Sequence, residues 1–114
     1  MPEGPEIRRA ADRLSNVLCG QSLTDVYFFS EELKAFEKIL KGSRVEAIVT
    51  RGKALLTSLD SGYTIYSHNQ LYGRWNIVKA GHFPKTKRSL RMALDTHSHR
   101  ALLFSASDIN VLQS

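Results

Sequence analysis

The stretch RVEAIVTRGKALLTSLDSGYTIYS, residues 44–67, decides the fold. It holds three short runs of strand composition, RVEAIVT (44–50), ALLTSL (54–59) and YTIYS (63–67), separated by RGK (51–53) and DSG (60–62). Separators this short, each with a glycine, read as hairpin connections, so the runs become successive antiparallel strands. The texture continues in RWNIV (74–78), SLRMALD (89–95) and ALLFSA (101–106), with AGHFPKTK (80–87) as a longer loop and THSH (96–99) as a tight polar turn. Upstream, SLTDVYFF (22–29) also has strand composition.

Two segments depart from that texture. From Pro5 the apolar residues fall at Ile7, Ala10, Ala11, Leu14, Val17 and Leu18, the stripe of an amphipathic helix, and Gly20 is placed to end it. Pro5 suits a first helical turn, where its missing N–H costs nothing, and Glu6 complements the positive end of the helix dipole. A shorter helix is expected from Ser30 as N-cap through Leu33, Phe36, Ile39 and Leu40 to Gly42. The expected class is α+β: an antiparallel β-sandwich with an N-terminal helix and a second short helix, in one domain of 114 residues.

Sixteen Lys or Arg against eleven Asp or Glu leave a net charge of +5, which suits a polyanionic partner such as nucleic acid. The excess lies in the second half, where residues 61–114 carry seven basic residues and only Asp95 and Asp108 as acids. Lys85, Lys87 and Arg88 read either as a solvated basic loop or as part of a phosphate-facing surface. Cys19, the single cysteine, excludes a disulfide within the chain and reads as a small buried hydrophobe. His82, His97 and His99 lie in loops without companion ligands at zinc spacing, so no metal site is expected. No run approaches the ~18–20 apolar residues of a membrane span, and the acidic, proline-broken start is unlike a signal peptide, so a cytoplasmic location is expected. The chain stops in SDINVLQS (107–114), an apolar run without terminal helix or polar tail, as a fragment of a longer protein would.

Three stretches carry chemistry. Methionine before proline is commonly trimmed, which leaves Pro2 with a secondary amine; α-amines titrate near about 7.7 to 8.0, far below lysine, and a helix N-terminus lowers them further. Such an amine attacks an aldehyde-level carbon to give an iminium that acidifies the adjacent C–H, and Glu3 is close enough to shuttle protons. The alternative is a frayed, acidic helix entrance. In SHNQLYGRW (67–75), Gln70, Leu71 and Tyr72 stand at a loop tip before Gly73, either as a wedge between base pairs or folded back on the core. His68 beside them reads as a phosphate donor or as a structural histidine. Lys53, after a turn glycine, is either a hairpin lysine or a fixed cation for a phosphate or a developing oxyanion.

Taken together and in order, PEGPEIRRAADRL (2–14), TRGKALL (50–56), YSHNQLYGRW (66–75) and FSASD (104–108) closely resemble the N-terminal domain of the formamidopyrimidine-DNA glycosylase and endonuclease VIII family, on its bacterial endonuclease VIII side. The resemblance runs through essentially the whole chain. It implies a base-excision-repair DNA glycosylase and AP lyase that removes oxidised pyrimidines from damaged double-stranded DNA and then cuts the strand by β,δ-elimination. Pro2 is then the Schiff-base nucleophile at C1′, Glu3 the acid/base, Lys53 the active-site lysine and Glu6 a supporting acid. Gln70, Leu71 and Tyr72 fill the void left by the flipped base. No cofactor is implied within this chain. The family's zinc finger and helix–two-turn–helix region lie further along, so the isolated chain is expected to be weak or inactive. Two rival readings stand beside this one: a non-catalytic nucleic-acid-binding module, which has no need of a free Pro2, and a tautomerase using N-terminal proline as base, which begins with a strand where this chain begins with a helix.

Overall fold

The computed structural model describes residues 3–69 and 72–113, the side chains of Glu3 and Gly4 excepted. The predicted stripe forms α1, Glu3–Leu18, and buries Ile7, Ala10, Ala11, Leu14 and Leu18 on one face. β1, Asp25–Phe28, follows, and a single 3-10 turn at Glu31–Leu33 leads into α2, Lys34–Leu40. Ser30 stands at the expected N-terminal position, but its hydroxyl makes no capping bond; its carbonyl accepts the Leu33 N–H at 3.1 Å instead. A tight i, i+3 start takes the backbone oxygen first, and so the side-chain cap goes unused.

Seven strands complete the chain: β2 Val45–Arg51, β3 Ala54–Leu59, β4 Tyr63–His68, β5 Arg74–Lys79, β6 Leu90–Asp95, β7 His99–Phe104 and β8 Asp108–Gln113. They form two antiparallel four-stranded sheets, β1-β6-β7-β5 and β2-β3-β4-β8. The predicted α+β sandwich is the observed one. β8 is an addition to it, since the apolar end of the chain is not loose surface: Ile109 and Val111 pack against the core while pairing with Ser67 and Ile65 of β4. Leu112 stays half exposed.

Apolar side chains from both sheets and from α1 meet between the sheets, with Leu14, Leu18, Phe28, Leu55, Ile65, Met92, Leu94 and Leu103 all essentially inaccessible. At ~1.5–3 kcal/mol for each large side chain removed from water, this layer is what holds the sheets together. Cys19 is only partly buried, at the end of α1, where it bridges to Val45. A bulge between Val45 and Ala47 shifts the alternation of β2, so that Val45 and, three residues on, Ile48 both turn towards the core. The first sheet is buried on both faces: Leu103 points into the main core, whereas Leu102 and Phe104 form a second cluster with Ala93. Phe83, from the loop after β5, covers that cluster edge-on to Phe104, ring centroids 5.9 Å apart. β1 is an edge strand, and the Glu37 carboxylate of α2 accepts its Phe28 N–H at 2.7 Å, closing off part of that edge.

Candidate nucleic-acid interface and active site

Helix and strand lengths bring separated motifs to one end of the sandwich. The 16 residues of α1 rise ~24 Å. Its last turn meets the start of β2, where Gly20 N–H donates to the Val45 carbonyl at 2.8 Å. The seven residues of β2 then return ~23 Å, against the same helix, to the turn at Gly52 and Lys53. The beginning of α1 and the β2–β3 turn therefore share one end. That turn has two residues with Gly52 first at φ 60°, an arrangement that a residue with a Cβ resists, and it leaves Lys53 half-buried rather than free in solvent.

Register extends the rim. Ala54, next to Lys53, pairs with His68, and His68 pairs with Asp108 at the start of β8. The loop from Asn69 to Gly73 leaves β4 here, and FSASD turns here from β7 into β8, with Ser105 at φ 62°. Glu6 and the loop face one another across a groove of 590 Å³ lined by Glu6, Arg9, Arg13, Asn69, Arg74 and Trp75. Trp75 is 5% exposed and its indole N–H has no partner among the described residues; the Asn69 side-chain carbonyl is likewise buried and unpaired. At the same rim the Tyr66 hydroxyl donates to Asp108 at 3.4 Å. Desolvation first, then the Asp108 carboxylate as charge and as acceptor, raise Tyr66 above the ordinary tyrosine value.

Of the site residues expected from the sequence, Pro2, Gln70 and Leu71 lie outside the described residues, as does the side chain of Glu3. Glu6, Lys53, His68 and Tyr72 are described and all stand at the same end. Tyr72 is 72% exposed, so it does not fold back on the core. The loop that carries it is closed by the Gly73 N–H on the Asn69 carbonyl at 2.7 Å and braced from outside by Arg88, whose Nη1 donates to the Tyr72 carbonyl at 3.3 Å. Reading the sequence alone missed Arg9, Arg13, Arg74 and Trp75 as groove residues and Arg88 as the brace. The helical spacing of Arg9 and Arg13 was the one available signal. Among the described residues no three His, Cys, Asp or Glu side chains gather as a metal would require, and no helix is long and apolar enough to cross a membrane.

Comparison with known proteins bears on the family and the fold. Endonuclease 8 of Pectobacterium carotovorum is 55% identical over 112 residues, which cover 98% of this chain and 43% of the relative. Endonuclease 8 of Salmonella agona gives the same figures, so the chain spans 43% of the length of these curated relatives. Among solved structures, a complex of Lactococcus lactis Fpg with DNA containing an abasic site has the same fold, with a TM-score of 0.84 at 16% identity over 98% of this chain and 44% of that one. Residues 1–107 match the profile of the formamidopyrimidine-DNA glycosylase N-terminal domain. With a profile that takes in nearly every residue and a fold that agrees, the chain belongs to the formamidopyrimidine-DNA glycosylase and endonuclease VIII family, as its N-terminal domain.

Proposed function

We propose that residues 1–114 are the N-terminal catalytic domain of a base-excision-repair DNA glycosylase and AP lyase, acting on oxidised pyrimidines in double-stranded DNA through Pro2. The observation that carries this reading is the meeting of Glu6, Lys53, His68 and the exposed Tyr72 at one end of the sandwich, although they are far apart in sequence. The names of the relatives, and the abasic-site DNA held by the Lactococcus lactis protein, support DNA as the substrate.

With Met1 removed, the Pro2 nitrogen attacks C1′ of the damaged nucleoside as the C1′–base bond breaks. The ring oxygen takes a proton when the sugar opens, and the product is an iminium between Pro2 and C1′. That electron sink acidifies the C2′–H; its loss expels the 3′ phosphate, and a second elimination expels the 5′ phosphate. Glu3 moves these protons. Lys53, held half-buried by its turn, supplies a fixed cation to a phosphate or to the oxyanion developing on the sugar. Gln70, Leu71 and Tyr72 occupy the stack after the base leaves, His68 donates to a phosphate, and Glu6 supports the site from α1. The steps balance without a redox cofactor or a metal, and the zinc of the family belongs to a region beyond residue 114. Acting alone, the chain is weak or inactive on duplex DNA; its place of action is the bacterial cytoplasm, at the nucleoid.

The test is covalent capture. Borohydride added to the chain and a duplex with one preformed abasic site is expected to yield a stable protein–DNA adduct that Pro2→Gly abolishes. Intact DNA binding with no adduct would overturn the catalytic reading in favour of a binding module.

A further inference from the structure

We propose that the loop between β5 and β6, through Lys85, Lys87 and Arg88, is a phosphate-binding surface for duplex DNA beside the 69–73 loop. The proposal rests on the reading of DNA as the partner and adds a surface to it. Strand pairing sets the position. Arg74 at the start of β5 and Leu90 at the start of β6 both lie opposite Phe104, so these three residues mark the rim end of the first sheet. The loop leaves β5 at the other end, where the His82 carbonyl accepts from Arg100 Nη1 at 3.1 Å, and then runs along the sheet's outer face. Phe83 packs on Phe104 and the Ser89 carbonyl accepts the Ser105 N–H at 2.9 Å, which brings residues 84–89 to the rim.

The two lysines there have no competing use. Lys85, Lys87 and Arg88 are exposed, and the ion pairs among the described residues join Lys34 to Glu37 and Arg100 to Asp95. Arg88 uses a single N–H of its guanidinium to hold the Tyr72 carbonyl at 3.3 Å, which ties the basic loop to the loop that carries the wedge. Exposed Arg74 extends the same positive edge. A duplex set against Tyr72 brings its backbone over this edge. Exposed lysines suit that role, since they recognise phosphate as point charges with no demand on base sequence.

The experiment follows affinity against salt by fluorescence anisotropy, with the chain and a labelled duplex carrying an abasic-site analogue. Each phosphate that the protein no longer neutralises lowers the slope of log affinity against log salt by about 0.9. The double variant Lys85→Ala/Lys87→Ala is expected to lower it by about 2. Lys38→Ala/Lys41→Ala, the same charge change on and just after α2, near the opposite end, is expected to leave it unchanged. An unchanged slope in the loop variant, or equal reductions in both variants, overturns the proposal. Borohydride capture separates the two readings: a loop variant that keeps its wild-type slope while its adduct still forms defeats this surface but not the Pro2 chemistry. Salt-independent binding by the unaltered chain defeats the surface, and the absence of an adduct from the unaltered chain defeats the Pro2 reading.

Discussion

Replacing Gly73 by alanine tests how the loop that carries Tyr72 is held. A Cβ at this position comes 2.4 Å from the Asn69 carbonyl oxygen and 2.7 Å from the Asn69 Cα, and neither backbone atom can move away as a side-chain tip would. The φ of Gly73 lies outside the left-handed region, so the demand for glycine is purely one of close approach. The closed turn therefore opens and the Gly73 N–H bond to Asn69, 2.7 Å long, is broken. One such bond is worth ~0.5–1.5 kcal/mol net. Restricting the unfolded chain returns ~0.4–1 kcal/mol, because alanine has fewer accessible conformations than glycine. The net destabilisation is then about 1 kcal/mol or less. With an unfolding entropy of about 2.1 cal/mol/K per residue, 114 residues give ~0.24 kcal/mol/K, so Tm falls by about 4 °C at most. The local effect is larger. In native-state hydrogen exchange, the amide at position 73 should lose its protection while core amides keep theirs, and the rate of borohydride capture on abasic-site duplex should fall because Tyr72 no longer projects from a fixed turn. A protected amide with unaltered capture would refute this reasoning, as would a drop in Tm of ~10 °C or more, which would place Gly73 in the core's cooperative unit.

Other predictions reach different parts of the molecule. Leu103, which has no exposed surface, fills the layer between the sheets, so Leu103→Ala should cost ~2–5 kcal/mol in urea unfolding. A loss below ~1 kcal/mol would mean that the layer is loosely packed. Val49→Ala on the half-exposed outer side of β2 should cost well under half of the Leu103 value in the same assay. At the rim, Asp108→Asn removes one of the causes that raise Tyr66 and weakens a second, so tyrosinate absorbance should show Tyr66 titrating lower, while burial still holds it above the ordinary value. The sign for stability follows: Tyr66 is held neutral in the fold, its contribution is complete below pH ~10 and is lost as pH rises through the folded value, and the Asn variant should show less of that alkaline loss. An unchanged titration would separate Tyr66 from Asp108.

Much of this architecture was legible in the residues. The spacing of Ile7, Ala10, Ala11, Leu14 and Leu18 has one physical solution, and the burial of α1 follows it. The RGK turn was equally plain, because Gly52 is needed for its positive φ. β8 was only faintly legible: Ile109 and Val111 alternate with Asp108 and Asn110 at the period of a strand, but exposed Leu112 breaks the pattern after four residues, and pairing with β4 completes the strand. Along β2 the bulge after Val45 likewise hides the inward face, since Val45 and Ile48 differ in parity. At the site, single motifs pointed to Lys53, His68 and Tyr72 one at a time. Their meeting depends on strand register, which local sequence does not specify. The Arg88 brace spans 16 residues between two irregular loops, and no periodic signal marks such a pairing.

The central claim is that the amine of Pro2 does the chemistry. It is tested most directly by digesting the borohydride-captured adduct with abasic-site DNA and locating the modified residue by mass spectrometry. The account predicts a chain that begins at Pro2, with the sugar remnant on its nitrogen and on no lysine. A remnant on Lys53 or any other lysine, or an adduct formed by chains that retain Met1, would contradict it.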